Sequence, residues 1–204
     1  MVPAIAQSSR ERFWELAISQ RWGKTPCTVT DTWWRILAYQ VPLFDQRTQN
    51  AWGSIDLLGC TVEFEPCVIE LKKEPGVKKS GGTEGTETPL RIVLEAAAYA
   101  VALREHWAFY SLHWQQALQP FYHEPRTNTT PTNFHLVAAA PAGFWLEWSP
   151  WTAHGRNKLT NGCWQAMKDL CDLLDRDGYP VHFVSLSGSP ESPHTLAVQP
   201  LRLF

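Results

Sequence analysis

Paired cysteines are missing from this chain. Its five cysteines, Cys27, Cys60, Cys67, Cys163 and Cys171, form an odd set without a CxxC spacing, which argues against a disulfide framework. A charged leader running into a long apolar segment is missing as well, and no apolar run reaches the ~20 residues that a membrane-spanning helix needs. The expectation is a reduced, cytoplasmic protein with no membrane partner. Nor is there an excess of positive charge: 18 Lys and Arg stand against 20 Asp and Glu, for a net charge of -2. No overall basic field announces nucleic acid, so such a partner would have to meet a local patch. The chain lacks the GxSxG element of serine hydrolases. Its glycine-rich stretch SGGTEGT lacks the Gly-Lys-Ser/Thr that a phosphate-cradling loop requires. Internal repeats and low-complexity domains are absent.

What is present suits one α/β domain spanning residues 1–204, since 204 residues with 44% hydrophobic content can bury a sizeable core. The eleven tryptophans include Trp33, Trp34, Trp145, Trp148 and Trp151, which could stack on bases but read first as core packing with polar tips at the rim. A first helix follows Ser8 and Ser9, with Phe13, Leu16 and Ala17 on its inward face and Gly23 as its stop. RILAYQVPLF, WGSIDLLGC and PCVIELKK then read as three consecutive strands, neighbours in an antiparallel arrangement. The polar, glycine-rich segment from Pro75 to Thr88 reads as a loop. Thr88 as cap and Pro89 at the first helical position open an Ala- and Leu-rich helix that runs on, or bends, toward Leu118. FHLVAAAPAG and FWLEW read as one or two strands. A late helix places Cys163, Met167, Leu170, Cys171 and Leu174 on one apolar face, with Gly178 as its stop, and PVHFVSL reads as a last buried strand. The core of the domain covers about residues 9–148, the late helix and strand 159–186, and a Ser- and Pro-rich tail 187–204 whose late apolar residues can dock back.

Within the second and third strands, charge sits where burial is expected. Side chains alternate along a strand, so Glu70 and Lys72 share one face while Ile69 and Leu71 share the other. Thirteen residues separate Asp56 from Glu70, a spacing that a hairpin can fold back to set them side by side. Two adjacent carboxylates raise each other's pKa unless a cation sits between them, and oxygen ligands of this kind suit Mg²⁺ or Mn²⁺. A nearby lysine can orient a water for attack or stabilise charge on a phosphate. Those are the requirements of phosphodiester hydrolysis.

The run IDLLG, CVIELKK, LEAAAY resembles the PD-(D/E)XK nuclease superfamily of restriction-endonuclease-like and RecB-like enzymes, over roughly Trp14 to Leu103. The resemblance implies a restriction-endonuclease-like core, a central mixed β-sheet flanked by helices in the order αβββαβ, here with C-terminal β-α-β additions. It implies a metal-dependent nuclease with Mg²⁺ or Mn²⁺ held by Asp56, Glu70 and the backbone carbonyl of Leu71, and with Lys72 serving the attacking water. Glu95 and Tyr99 match the Q-x-x-x-Y of RecB-like members, with Glu in place of Gln, and their i,i+4 spacing puts them on one helix face. The supporting first-helix glutamate is Glu15 in preference to Glu11. Ile55 stands where the motif name has Pro. DNA is favoured over RNA as the partner only because the resembled families mostly act on DNA, and cleavage of both strands would suggest a homodimer or larger complex. Two rivals remain open: a binding or assembly subunit of a defence or repair complex that keeps the fold without cleaving, and an enzyme acting on a smaller phosphoester.

Weaker signals surround this set. Lys73, Lys78 and Lys79 could meet phosphates, with an exposed loop an equal alternative; Arg156 and Lys158 before the late helix, and Arg10, Arg12, Arg21 and Lys24 around the first, could track a phosphate backbone, although a solvated face explains most such charges. Glu63 and Glu65 read as the wet face of the hairpin. His106 and His113 have no third ligand nearby and read as rim residues.

Overall fold

The computed structural model describes residues 8–27, 33, 35–44, 51–72, 88–121, 130–148 and 161–204. The elements are α1 (Ser8–Trp22), β1 (Arg35–Phe44), β2 (Ala51–Cys60), β3 (Pro66–Leu71), α2 (Pro89–Glu105), α3 (Trp107–Leu118), β4 (His135–Pro141), α4 (Ala142–Trp148), α5 (Asn161–Arg176), β5 (Val181–Ser189) and β6 (Ser192–Leu201), with a 3₁₀ turn at Gln119–Phe121 after α3. The six strands lie side by side in chain order. β1, β2 and β3 form an antiparallel meander, β3, β4 and β5 are parallel, and β6 returns antiparallel to β5. The fold is therefore α/β, a mixed open sheet flanked by helices.

Helices cover both faces of the sheet, which is why β3 and β4 are near-continuous apolar runs with no wet side. On one face Ala17, Ile18 and Trp22 of α1 meet Cys67, Ile69, Leu71, Val137 and Ala139. The alternate residues Val68 and Leu136 point the opposite way, to Ala96, Ala100 and Leu103 of α2. Further along that second face, Ile92 and Val93 pack with Ala138, Ala140, Phe183, and residues of α4 and α5. Thr88 caps α2 by accepting a hydrogen bond from the Arg91 N–H at 3.1 Å. The long helix breaks at His106, and the turn lets Trp107, Trp114 and Phe134 stack edge to face.

Three expectations from the sequence need correction. The inward face of α1 is not Phe13, Leu16 and Ala17: Phe13 is 42% and Leu16 41% exposed, whereas Ala17, Ile18 and Trp22 are buried and Trp14 packs beside them. Trp14, Ile18 and Trp22 recur every four residues, and this stripe buries more apolar area than its rival. FWLEW is α4, a helix. Adjacent residues of a strand point to opposite faces, yet Phe144 and Trp145 pack into the same cluster, which a helix permits. Cys163 is exposed, and Trp164 takes its place on the buried face of α5 with Met167 and Cys171. The late apolar residues of the tail do dock back, and they do so as a strand, with β6 sending Leu196 and Val198 into the α1-side core. Among the described residues no helix is long and apolar enough to cross a membrane, and all five cysteines are free thiols.

A candidate active site where the sheet changes from parallel to antiparallel

β3 has an antiparallel neighbour in β2 and a parallel neighbour in β4. Its C-terminal end is thus the point where the pairing sense switches, and it lies at the carboxyl end of the parallel strands, the side on which open α/β sheets bind ligands. The β2–β3 ladder ends at the Leu57–Ile69 pair. Beyond it the strands part. The Leu71 N–H donates 2.9 Å to Asp56 Oδ2 instead of to a backbone carbonyl, and the Lys72 N–H crosses to the Ala139 carbonyl of β4 at 2.9 Å. The Asp56 carboxylate therefore fills the gap that the diverging strands open.

Strand alternation sends Glu70 and Lys72 toward α2. Lys72 Nζ sits between two acids, 2.7 Å from Glu70 Oε1 and 2.8 Å from Glu95 Oε2. Arg91, one turn before Glu95 on α2, holds the other Glu95 oxygen through Nε at 2.7 Å. Tyr99, one turn after it, lies against β2 at Gly53, where a Cβ would come within 2.9 Å of the ring. Glycine at this position gives the ring its room. Asp56, Glu70, Lys72, Glu95 and Tyr99 thus converge on one locality.

Glu15 is 2% exposed and joins from α1: its Oε2 accepts a 2.7 Å hydrogen bond from Gln40 Nε2, which also lies 3.4 Å from Asp56 Oδ1. The proposed phosphate contacts Lys73, Lys78, Lys79, Arg156 and Lys158 lie outside the described residues, as do Trp34 and Trp151. Trp33 and Trp145 are buried and Trp148 is partly buried, placements that packing accounts for.

Burial dominates the electrostatics. Glu70 is 5% exposed, and burial followed by the charge of Asp56 pushes its carboxyl up to about 9, against the pull of Lys72. Burial also raises Asp56, opposed by the Leu71 N–H and the charge of Lys72. Glu95 goes the other way. Burial works to raise it, but hydrogen bonds from Lys72 and Arg91 outweigh that and hold it below the usual carboxylate range. Tyr99 is raised by burial and by the charges of Glu70, Glu95 and Asp56.

Two carboxyl oxygens in this set, Glu70 Oε2 and Glu95 Oε2, are buried without a well-aligned hydrogen bond, although Lys72 Nζ lies 2.8 Å from the second. A buried carboxyl oxygen of that kind is costly unless something binds it. Among the described residues no three His, Cys, Asp or Glu side chains are gathered as a metal cage. The carboxyl oxygens of Asp56 and Glu70 are hard donors, and few in number, as Mg²⁺ accepts when it keeps several waters.

Sequence reasoning missed Gln40 and Arg91. The Arg91–Glu95 pair has a signal, the i,i+4 spacing on a helix; Gln40 has none. It also missed a chain at the other end of the parallel strands. His135 Nε2 lies 2.9 Å from Glu65 Oε2, and His135 Nδ1 lies 2.9 Å from His182 Nε2. Asn133 donates to both oxygens of Glu65. Glu65 is therefore engaged across the sheet and not merely solvated. His106 and His113 are exposed, and His113 stacks edge to face on Phe109.

No family model, curated protein or solved structure matches this chain.

Proposed function

We propose that this chain is a metal-dependent nuclease of the PD-(D/E)XK type, with a restriction-endonuclease-like core, that hydrolyses phosphodiester bonds in nucleic acid. The observation that carries the reading is a buried lysine clamped between Glu70 and Glu95, beside Asp56 and a carboxyl oxygen that lacks a hydrogen bond, at the split end of two strands. One buried lysine needs one acid to balance its charge, and the second and third acids beside it suit a site that takes up a further cation. DNA as substrate rests on the family resemblance alone.

Asp56, Glu70 and the Leu71 carbonyl would hold Mg²⁺ or Mn²⁺, which when bound would neutralise phosphate charge and make a coordinated water more acidic. The rest belongs to the chain's own side chains. The Lys72 ammonium donates toward the attacking water and toward the charge that develops on the phosphate. Glu95, kept ionised by Lys72 and Arg91, fixes where that ammonium points. Arg91 is about half exposed at the mouth and offers a guanidinium to a phosphate. Tyr99 closes the inner wall against β2.

The test is a cleavage panel of plasmid, single-stranded DNA, RNA and nucleotides with Mg²⁺ or Mn²⁺, run on wild type, Glu70→Gln and Lys72→Met. Wild type should cut at least one polymer, Glu70→Gln should be inactive, and Lys72→Met should lose on the order of a hundredfold or more in rate. Hydrolysis of nucleotides alone would mark a small-phosphoester enzyme. Metal binding with no cleavage of any substrate would mark a binding or assembly subunit. Binding itself is read by melting: millimolar Mn²⁺ should raise the wild-type Tm, and Asp56→Asn should abolish most of that rise.

A further inference from the structure

Gln40 has a backbone that a strand residue rarely adopts, with φ of 51°. Left-handed backbone is uncommon outside glycine and persists where the surroundings enforce it, often at functional sites. No bulge accounts for it. The β1–β2 register shifts between Ile36 and Ala38 and between Leu43 and Phe44 but is the same at Tyr39–Leu57 and Val41–Ile55, which sets Gln40 opposite Asp56 at a step that the ladder itself skips. From there the side-chain amide reaches two acids. Its nitrogen donates to Glu15 Oε2 at 2.7 Å and lies 3.4 Å from Asp56 Oδ1, while its oxygen accepts from Ser54 Oγ at 3.3 Å.

We infer that Gln40 is a positioning residue: its amide bridges Glu15 of α1 to Asp56 of β2, and the left-handed backbone is maintained because it aims the amide there. A neutral donor suits the task. It satisfies two acids without adding a charge that would compete with a metal ion, and by holding one oxygen of Asp56 it fixes how that carboxylate faces Glu70. The Leu71 N–H holds the other oxygen, so Asp56 is pinned from both sides. The inference rests on the metal-binding reading of the site and adds to it the group that orients its first ligand.

The experiment compares the full-length chain with Gln40→Ala and Gln40→Gly, using calorimetric titration with Mn²⁺ and thermal melting without metal. Both variants lose the amide, so both should bind Mn²⁺ about tenfold more weakly or worse, the range seen when a group that orients a metal ligand is removed. Only glycine tolerates the backbone without strain, so Gln40→Gly should melt above Gln40→Ala, the reverse of their order in an ordinary strand. Affinities within about twofold of wild type would overturn the positioning role while leaving the metal site intact. Alanine melting above glycine would overturn the backbone argument. A wild type that binds no Mn²⁺ would overturn the metal reading itself, and the positioning role with it. If neither variant folds, Ser54→Ala, which removes only the hydroxyl on the amide oxygen, decides: weaker Mn²⁺ binding supports the role and unchanged binding overturns it.

Discussion

Glu70 is a buried acid beside other acids, and its titration gives a prediction with a definite sign. An ordinary glutamate titrates near 4.5, and burial with the nearby Asp56 charge moves Glu70 to about 9. Between those values the folded chain keeps a proton that the unfolded chain releases, so stability falls as pH rises. The contribution is complete below about 4.5 and is lost as pH climbs through about 9. Asp56, raised in the same way, adds to the trend, while the lowered Glu95 acts only at acid pH and with the opposite sign. In chelator, the wild-type Tm should therefore decline from about pH 5 to about pH 9, and Glu70→Gln should flatten the decline and stand above wild type at the alkaline end. Parallel curves would mean that Glu70 is ionised throughout. Because metal binding must displace the same proton, Mn²⁺ affinity should climb over that interval. The identities of Asp56, Glu70 and Lys72 were legible because strand alternation alone decides which side chains share a face. Gln40 was not, because its role depends on a left-handed backbone that glutamine does not announce.

Elements were legible where one local rule decided them. Thr88 and Pro89 mark the start of α2 by capping chemistry, and the three strands of the meander follow from short apolar runs between turns. α4 was not legible, because FWLEW is apolar enough for either period and its conformation is settled by tertiary contacts. Trp145 makes the deciding ones: its indole Nε1 donates to the Ala140 carbonyl of β4 at 3.1 Å and to the Val184 carbonyl of β5 at 2.9 Å. The helix thus ties together the C-terminal ends of two parallel strands. Trp145→Phe retains much of the apolar contact but removes that donor. It should cost about 1–3 kcal/mol, measured as a lower urea midpoint with unchanged slope. A cost near zero would mean that the two carbonyls find other donors, and α4 would then be held by packing alone.

At the scale of the molecule, α1 works on one face and α2 to α5 on the other, and the two coverings differ in how much they depend on the chain's last strand. The second face is closed by four helices. The first has α1, and its core is completed from the far edge by Leu196 and Val198 of β6 beside Val184 and Leu186 of β5. The sequence suggested that late apolar residues of this tail dock back, but Ser, Pro and Gly between 187 and 193 hid the strand, which is set by its pairing with β5, a contact that no local pattern encodes. Full burial of Leu or Val is worth about 1.5–3 kcal/mol each against a total stability of about 5–15 kcal/mol, before the lost ladder bonds and the newly exposed edge of β5 are counted. A chain ending at Ser189 should therefore lose cooperative unfolding and aggregate, even though Asp56, Glu70 and Lys72 all lie on the opposite half of the sheet. The double substitution Leu196→Ala with Val198→Ala keeps the backbone ladder and separates the two contributions. If its stability falls by roughly the sum of the two buried side chains while Mn²⁺ still shifts its melting, β6 supports the fold without shaping the site. If the truncated chain unfolds cooperatively at the wild-type midpoint, the α1-side core is self-sufficient and β6 is an ornament on it.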